Sequence, residues 1–352
     1  MIKVAINGFG RIGRTGLRIL AEKYADKIEL VAINTSGSME VEGWAHLLKY
    51  DSTYGRFNRS VKFTKLHPVA EATDNDPVIG QLMIEDLPSP ILLLAQRDPA
   101  KLPWKDYGVD VVLECTGKFV TSEKAKAHLS AGAKRVLISA PPKGGGIGTF
   151  VLGVNQYDNS EIISNASCTT NCVAPVVAVL HSKFGVEKAT LLTIHAYTDD
   201  QNLQDNSHKD LRRARAAAHN LVPTTTGAAI STAETIPELK GLFDGLAIRA
   251  PVISGSISDI TAVLKKNTTV EEVNQVFIEA SQMPRWQGIL AVTDELLVSS
   301  DIIGRPESAI VDLSLTQVIG GNLVKVLAWY DNEYGYCHRL IEQAIQVGKT
   351  LK

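Results

Sequence analysis

One stretch of this chain is built for nucleophilic chemistry: Ser164-Asn165-Ala166-Ser167-Cys168-Thr169-Thr170-Asn171-Cys172. It runs straight into the apolar segment 173–180, which reads as a helix. Cys168 is thereby set at a helix start. The free N–H groups and the positive end of a helix favour a thiolate, and the thiolate is the form that attacks an electrophilic carbon. A free cysteine is more often a small buried hydrophobe, so the segment alone leaves both readings open. A base is also needed. Residues 189–194 read as a strand that delivers His195 at its end, and a histidine beside a helix-start cysteine can take the thiol proton.

Further on, residues 198–206 form a polar, irregular run, and long loops tend to be functional. Residues 210–218 read as a basic helix carrying Arg213, with one arginine suited to a small phosphate. The segment 223–227, Pro-Thr-Thr-Thr-Gly, offers hydroxyls and backbone N–H groups for an anion. Arg249 ends a strand-like run at 246–249. Cysteine, histidine, threonines and separate arginines together suit an aldehyde attacked by a thiolate, with phosphates held nearby. Cys168 and Cys172 lack the further Cys or His that a zinc site requires, so no metal is expected. Cys115 and Cys337 read as structural.

These groups need a scaffold, and the N-terminal half supplies a nucleotide site. A strand at 3–7 meets Gly8, Gly10 and Gly13, followed by a helix at 14–23. That order is the one a Rossmann unit requires: Gly8 for the tight turn, Gly10 for close approach of a pyrophosphate, Gly13 for helix–strand packing. The next strand, 28–33, ends at Asn34-Thr35-Ser36. An NAD site usually carries an Asp or Glu there for the ribose. Thr35 and Ser36 remove that charge and favour a site that accepts NADP. Strands at 91–95, before Arg97, and at 109–115, ending at Thr116-Gly117, continue the alternation. A helix at 122–131 and a strand at 135–139 follow, then a loop at 141–148 and a last strand at 150–154. Near the C-terminus a helix at 271–280, a strand at 323–330 and an amphipathic helix at 337–347 are expected, the last returning to the first domain.

At 352 residues the chain suits two domains, and 45% hydrophobic with 21% charged residues is ordinary for a globular protein. A net charge of -2 argues against a membrane surface or nucleic acid as the primary partner. The 210–218 segment lacks the interleaved aromatics of a nucleic-acid patch. No apolar run reaches the ~20 residues of a membrane span. The first residues enter a strand directly, leaving no room for a targeting peptide. Four cysteines make no disulfide framework, so a cytoplasmic location is expected.

The motifs resemble one family. INGFGRIGR at 6–14, HLLKYDS at 46–52, SNASCTTNC at 164–172, HKDLRRARAAA at 208–218, PTTTGAA at 223–229, PELKG at 237–241 and WYDNEYGY at 329–336 are similar to phosphorylating glyceraldehyde-3-phosphate dehydrogenases, in order and over nearly the whole length. The resemblance implies an α/β protein: a Rossmann domain (1–166 and 333–352) and an α+β catalytic domain with a mixed sheet (167–332). It implies that Cys168 attacks glyceraldehyde 3-phosphate and that His195 serves as base. Hydride passes to NAD or NADP, and inorganic phosphate releases the thioester as an acyl phosphate. Thr198 and Arg249 are expected to hold the substrate phosphate. Ser167, Thr169, Arg213, Thr226 and Gly227 are expected to hold the attacking one. Arg11, Ile12, Arg97, Thr116, Gly117, Ser139, Asn332 and Tyr336 are expected around the cofactor. A homotetramer is implied, with the loop after Thr198 reaching a neighbour's cofactor site.

Three departures matter. NAD-specific members carry Asp where this chain has Thr35, and Pro where it has Ser207, so both positions resemble the NADP-accepting members. After Arg249 the chain reads Ala250-Pro251-Val252-Ile253-Ser254-Gly255-Ser256, unlike the usual segment. The erythrose-4-phosphate dehydrogenases share the architecture, but they tend to lose Thr198 and the TTTG segment, both kept here. A binding protein with an inactive site is the other reading, and retention of Cys168 with His195 speaks against it.

Overall fold

The computed structural model describes residues 1–351. The chain divides into two compact units: Met1–Thr149 with Tyr157–Asn165 and Cys337–Lys352, and Phe150–Gln156 with Ala166–Tyr336.

The first unit is a nine-stranded sheet. Its strands are β1 (Ile2–Asn7), β2 (Ile28–Asn34), β3 (Val61–Lys65), β4 (Val78–Ile84), β5 (Ile91–Leu94), β6 (Val111–Glu114), β7 (Arg135–Ile138), β8 (Gly148–Thr149) and β9 (Ile162–Ser164). The order is β8-β9-β7-β6-β1-β2-β5-β4-β3. Every pairing from β8 to β5 is parallel, and β4 and β3 close the far edge antiparallel. The central strands are buried along almost their whole length, as a parallel sheet covered on both faces demands. Register brings Asn7 opposite both Asn34 and Glu114, so three polar residues line up at one carboxyl edge. That edge, where strand order reverses beside β1, is where such folds bind ligands. Helix α1 (Arg11–Ile19) follows the glycine loop, and a π turn, Leu20–Tyr24, extends it. The helix therefore starts three residues earlier than the pattern suggested.

The second unit is a mixed sheet of β10 (Val186–Ala196), β11 (Val222–Thr225), β12 (Phe243–Ala250), β13 (Ser256–Leu264), β14 (Leu290–Thr293), β15 (Ala309–Asp312), β16 (Gln317–Ile319) and β17 (Leu323–Tyr330). Its order is β11-β12-β10-β13-β17-β15-β14, with β16 paired to β17. Strands β10 and β12 run parallel with His195 opposite Arg249, so register alone sets those side chains next to each other. The long helix α2 (Cys168–Phe184) packs Val173, Val176, Leu180 and Phe184 into a core with Leu191, Ile260 and Val326. The helix thus anchors its own N-terminal cysteine.

Two expected elements are absent. Residues 210–218 are a series of turns: one i→i−4 bond forms, from the Ala214 amide to Asp210 O, and the Ala216 amide is diverted to a side chain outside the segment. Asp210 Oδ1 accepts from the Arg212 and Arg213 amides, and Asp205 Oδ1 from that of Ala216. Residues 150–154 are also a turn: the Val151 amide donates to Asn155 Oδ1 and the Val154 amide to Val151 O, with Gly153 at φ +79°.

Candidate active site

Ser167 caps α2, its hydroxyl accepting from the Thr170 amide at 3.0 Å. Before it, Ala166 lies in the left-handed region at φ +57°, and Tyr336 Oη donates to its carbonyl at 3.0 Å. This sharp turn presents Cys168, whose Sγ is 3.3 Å from His195 Nε2. On the far side of the ring, His195 Nδ1 lies 2.7 Å from Ala196 O and 2.8 Å from Arg249 Nη1. Tyr330 stands edge-on to the ring at 6.0 Å between centroids, its hydroxyl bridging Thr169 Oγ1 (2.9 Å) and Thr193 Oγ1 (2.8 Å).

Burial dominates the electrostatics. It raises the Cys168 thiol, and the Arg249 charge pulls the other way. Burial and then Arg249 push His195 down to about 3, so the imidazole is neutral near pH 7. Burial also raises Tyr330, which stays a neutral hydrogen-bonding post. A neutral imidazole next to a thiol can take its proton, and a nearby cation supports the thiolate.

Arg213 is held by Asp200, by Thr224 Oγ1 at 2.9 Å and by Asp210 at 3.3 Å. Thr226 Oγ1 accepts from the Ala228 amide at 3.2 Å, and Gly227 caps helix α3 (Ala228–Thr235) without a side-chain bond. Thr198 is half-buried beside Gln201. The Thr169 hydroxyl lies 2.9 Å from Tyr330 Oη, and only 4% of the residue is exposed. The unusual segment after Arg249 has a structural use. Ser256 Oγ accepts from the Ala196 amide at 3.1 Å and donates to Asn332 Oδ1 at 2.8 Å, and Ser254 donates to Asp331 at 3.0 Å. Ser207 is exposed in the 198–221 loop.

In the nucleotide unit, Gly8 has φ +102°, and a Cβ there meets Thr116 at 2.8 Å. A Cβ on Gly13 comes within 2.3 Å of Gly8 O, so the two glycines are required by close packing. Gly10 caps α1 with no side-chain bond, and a Cβ on it meets nothing within 4 Å. Gly10 thus leaves room at the start of α1, where a helix has free N–H groups that suit a dinucleotide pyrophosphate. Glu114, read at first only as part of a strand, organises this edge. Its Oε2 accepts from Asn7 Nδ2 at 2.5 Å and His128 Nε2 at 2.9 Å, and its Oε1 from the amide and hydroxyl of Thr116. Trp104 Nε1 donates to His128 Nδ1 at 3.0 Å. The amide of Ser139 donates to Glu114 O at 3.0 Å. Arg11 pairs with Asp51 under the Tyr54 ring, and half-buried Ile12 accepts from Cys337 through its carbonyl.

Thr35 is 4% exposed and its hydroxyl donates to Leu94 O at 3.0 Å, so of the two tip hydroxyls it is Ser36 that faces solvent. Ser36, Gly37, Thr73, Asp74, Gln96 and Arg97 border an open pocket of about 380 Å³. Asp74 is paired with Lys101 at 2.5 Å. Sequence patterns missed Thr73, Asp74, Glu114 and Tyr330. Only Tyr330 left a signal, the inward alternation of 324, 326, 328 and 330 along β17. No helix among the described residues is long and apolar enough to cross a membrane.

Residues 2–122 match the family model for the NAD binding domain of glyceraldehyde 3-phosphate dehydrogenase, and residues 167–332 match that for its C-terminal domain. Among curated proteins, the chain is 49% identical over 354 residues to a glyceraldehyde-3-phosphate dehydrogenase of Streptomyces coelicolor, covering 99% of each. It is 47% identical to one of Zymomonas mobilis, again over 99% of each, and 46% identical to glyceraldehyde-3-phosphate dehydrogenase 2 of Synechocystis over the full length of both. The two domain matches, the full-length identity and the thiol–imidazole pair agree: this chain is an NAD(P)-dependent oxidoreductase and belongs to the glyceraldehyde-3-phosphate dehydrogenase family.

Proposed function

We propose that this chain oxidises glyceraldehyde 3-phosphate and releases the product with inorganic phosphate, as 1,3-bisphosphoglycerate. The observation that carries the reading is Cys168 Sγ at 3.3 Å from His195 Nε2, with Arg249 on the far side of the ring. His195 takes the thiol proton, and the sulfur lone pair attacks the aldehyde carbon. A bound nicotinamide dinucleotide supplies the hydride acceptor, held by the Gly8–Gly10–Gly13 loop, Arg11, Ile12, Arg97, Thr116, Gly117, Ser139, Asn332 and Tyr336. The thioester left on Cys168 is opened by a phosphate oxygen, which returns the sulfur as thiolate. Thr198 and Arg249 hold the substrate phosphate. Ser167, Thr169, Arg213, Thr226 and Gly227 hold the attacking one.

The cofactor is NADP, with NAD also accepted. No carboxylate stands at the strand tip, Ser36 and Arg97 border an open pocket, and its one acid, Asp74, is paired with Lys101. Ser207 completes the NADP-accepting pattern in a homotetramer. Exposed Leu203, Leu211, Leu221, Ile230 and Leu246 in the catalytic unit support burial against other copies. A cytoplasmic location goes with this role.

The test is cofactor reduction with glyceraldehyde 3-phosphate, with and without inorganic phosphate, for each nucleotide. Strict phosphate dependence is expected, and a rate indifferent to phosphate overturns the reaction. Preference for NAD by more than about tenfold, ~1.4 kcal/mol, overturns the cofactor reading.

A further inference from the structure

A dinucleotide site without an acid at the strand tip still needs an acceptor for a ribose hydroxyl, or a cation for a 2′-phosphate. Around the pocket beside Ser36 the chain offers one of each, from segments outside the β1–α1–β2 unit. Asp74 comes from the loop between β3 and β4 and borders the pocket with Thr73, Gln96 and Arg97. That loop is closed on itself: the Thr73 amide donates to Asp76 O at 3.0 Å, and the Asp76 amide to Thr73 Oγ1 at 3.1 Å. Buried Gln96 ties the carboxylate to the sheet edge. Its backbone amide donates to Asn34 Oδ1 at 2.9 Å, its side-chain oxygen accepts from the Asp98 amide at 2.9 Å, and its Nε2 donates to Asp74 Oδ1 at 3.0 Å. The other oxygen, Asp74 Oδ2, accepts from Lys101 Nζ at 2.5 Å. Lys101 ends the short turn Pro99–Lys101 that follows Arg97. A carboxylate can accept at about four positions, so Asp74 keeps acceptor capacity beyond these two bonds.

We propose that Asp74 and Lys101 choose between the two nucleotides: Asp74 accepts from a ribose hydroxyl of NAD in place of the absent strand-tip acid, and Lys101 leaves Asp74 for the 2′-phosphate of NADP. The inference rests on the cofactor reading above and names the residues that would let one pocket take both. A strand-tip acid is fixed, and its charge repels a 2′-phosphate. An acid paired with a cation on a flexible stem behaves differently. The Lys101 and Asp74 side chains are 48% and 58% exposed, so their ion pair contributes little, and exchanging it for a phosphate contact is cheap. An ammonium has three rotatable donors and can follow the phosphate, joining exposed Arg97 at the pocket rim. Asp74 then keeps Gln96 as its donor. With NAD the pair stays closed, and the carboxylate has capacity left for a hydroxyl. Lys101, then Gln96, hold Asp74 below the usual carboxylate range, so it is an acceptor near pH 7.

Titration calorimetry of the whole enzyme with oxidised NAD and with oxidised NADP, in the absence of substrate, tests this through binding alone. Asp74→Asn keeps the side-chain shape without the charge, and Lys101→Met keeps the stem. Asp74→Asn is expected to weaken NAD about fivefold and to leave NADP within about twofold or tighter. Lys101→Met is expected to weaken NADP about fivefold and to leave NAD within about twofold. Both side chains are exposed, so both variants are expected to fold, with thermal midpoints near that of the wild type. Unchanged NAD affinity in Asp74→Asn, or unchanged NADP affinity in Lys101→Met, overturns the inference. Equal loss of both nucleotides in one variant overturns it too, since that marks damage to the loop rather than selection. The wild-type affinities test the cofactor reading separately. A wild type that binds NADP more than about tenfold more weakly than NAD overturns that reading, whereas opposite shifts in the two variants still assign Asp74 and Lys101 to the choice.

Discussion

At the carboxyl edge of the parallel sheet, Glu114 accepts from Asn7, His128 and Thr116, and Trp104 satisfies the remaining nitrogen of His128. Every polar group of that cluster has a partner, and the bonds fix the loop ends at the edge where such folds bind ligands. Around Cys168 the reverse holds. Burial opposes ionisation of the thiol, His195 Nδ1 faces two incompatible partners, and Arg249 keeps an unspent donor. A satisfied network holds one geometry, because each change of partner costs desolvation. An unsatisfied one leaves donors that a bound ligand can engage. The nucleotide edge is satisfied within the chain, and the thiol pocket keeps groups free for a ligand.

The largest effect expected from breaking this contrast is chemical. Cys168→Ser removes the nucleophile and is expected to lower turnover about 10⁴-fold or more, while dinucleotide binding is unchanged. Turnover is read from formation of the reduced cofactor, and binding from a titration of the protein's fluorescence. Loss of nucleotide affinity in this variant would mean that the two regions are not separate in function.

A change on the quiet side is expected to cost stability first. Glu114→Ala leaves buried donors on Asn7 and His128 without their acceptor, at about 1–3 kcal/mol for each left unsatisfied, and frees half-buried Thr116 as well. Denaturant unfolding is expected to show a total loss of about 3 kcal/mol or more in the transition of the nucleotide unit. Alkylation of Cys168 in the still-folded protein is expected at the wild-type rate. A loss under about 1 kcal/mol would show that the network does not hold the edge.

Legibility followed the range of the interactions. Gly8 and Gly13 were readable because a missing Cβ is a property of the residue itself, and the packing admits nothing larger. Cys168 and His195 were readable as types, and strand register then set Arg249 beside the ring. The alanine- and arginine-rich 210–218 segment has helix-forming composition, yet Asp205, outside the segment, takes the Ala216 amide. Glu114 looks like any residue at a strand end until His128 and Asn7, far off in sequence, converge on it.

The smallest expected effect concerns backbone strain, where the two regions again differ. Gly8 reaches φ +102° with the one residue type for which that region is free of penalty. Ala166, two residues before the nucleophile, reaches φ +57° with a side chain, and a non-glycine pays about 1–2 kcal/mol there. Ala166→Gly removes that strain but adds freedom to the unfolded chain, worth about 0.4–1 kcal/mol against it. The Ala166 side chain is also buried, packed with Val151 and Ala174, and that contact is lost. The terms nearly cancel, so denaturant unfolding is expected to move by less than about 1 kcal/mol in either direction. The informative reading is the alkylation rate of Cys168, which is expected to fall once the turn before it is no longer held to one conformation. An unchanged rate with a clear gain in stability would identify the turn as mere strain, and the positioning of the sulfur would then rest on the Ser167 cap and the packing of α2.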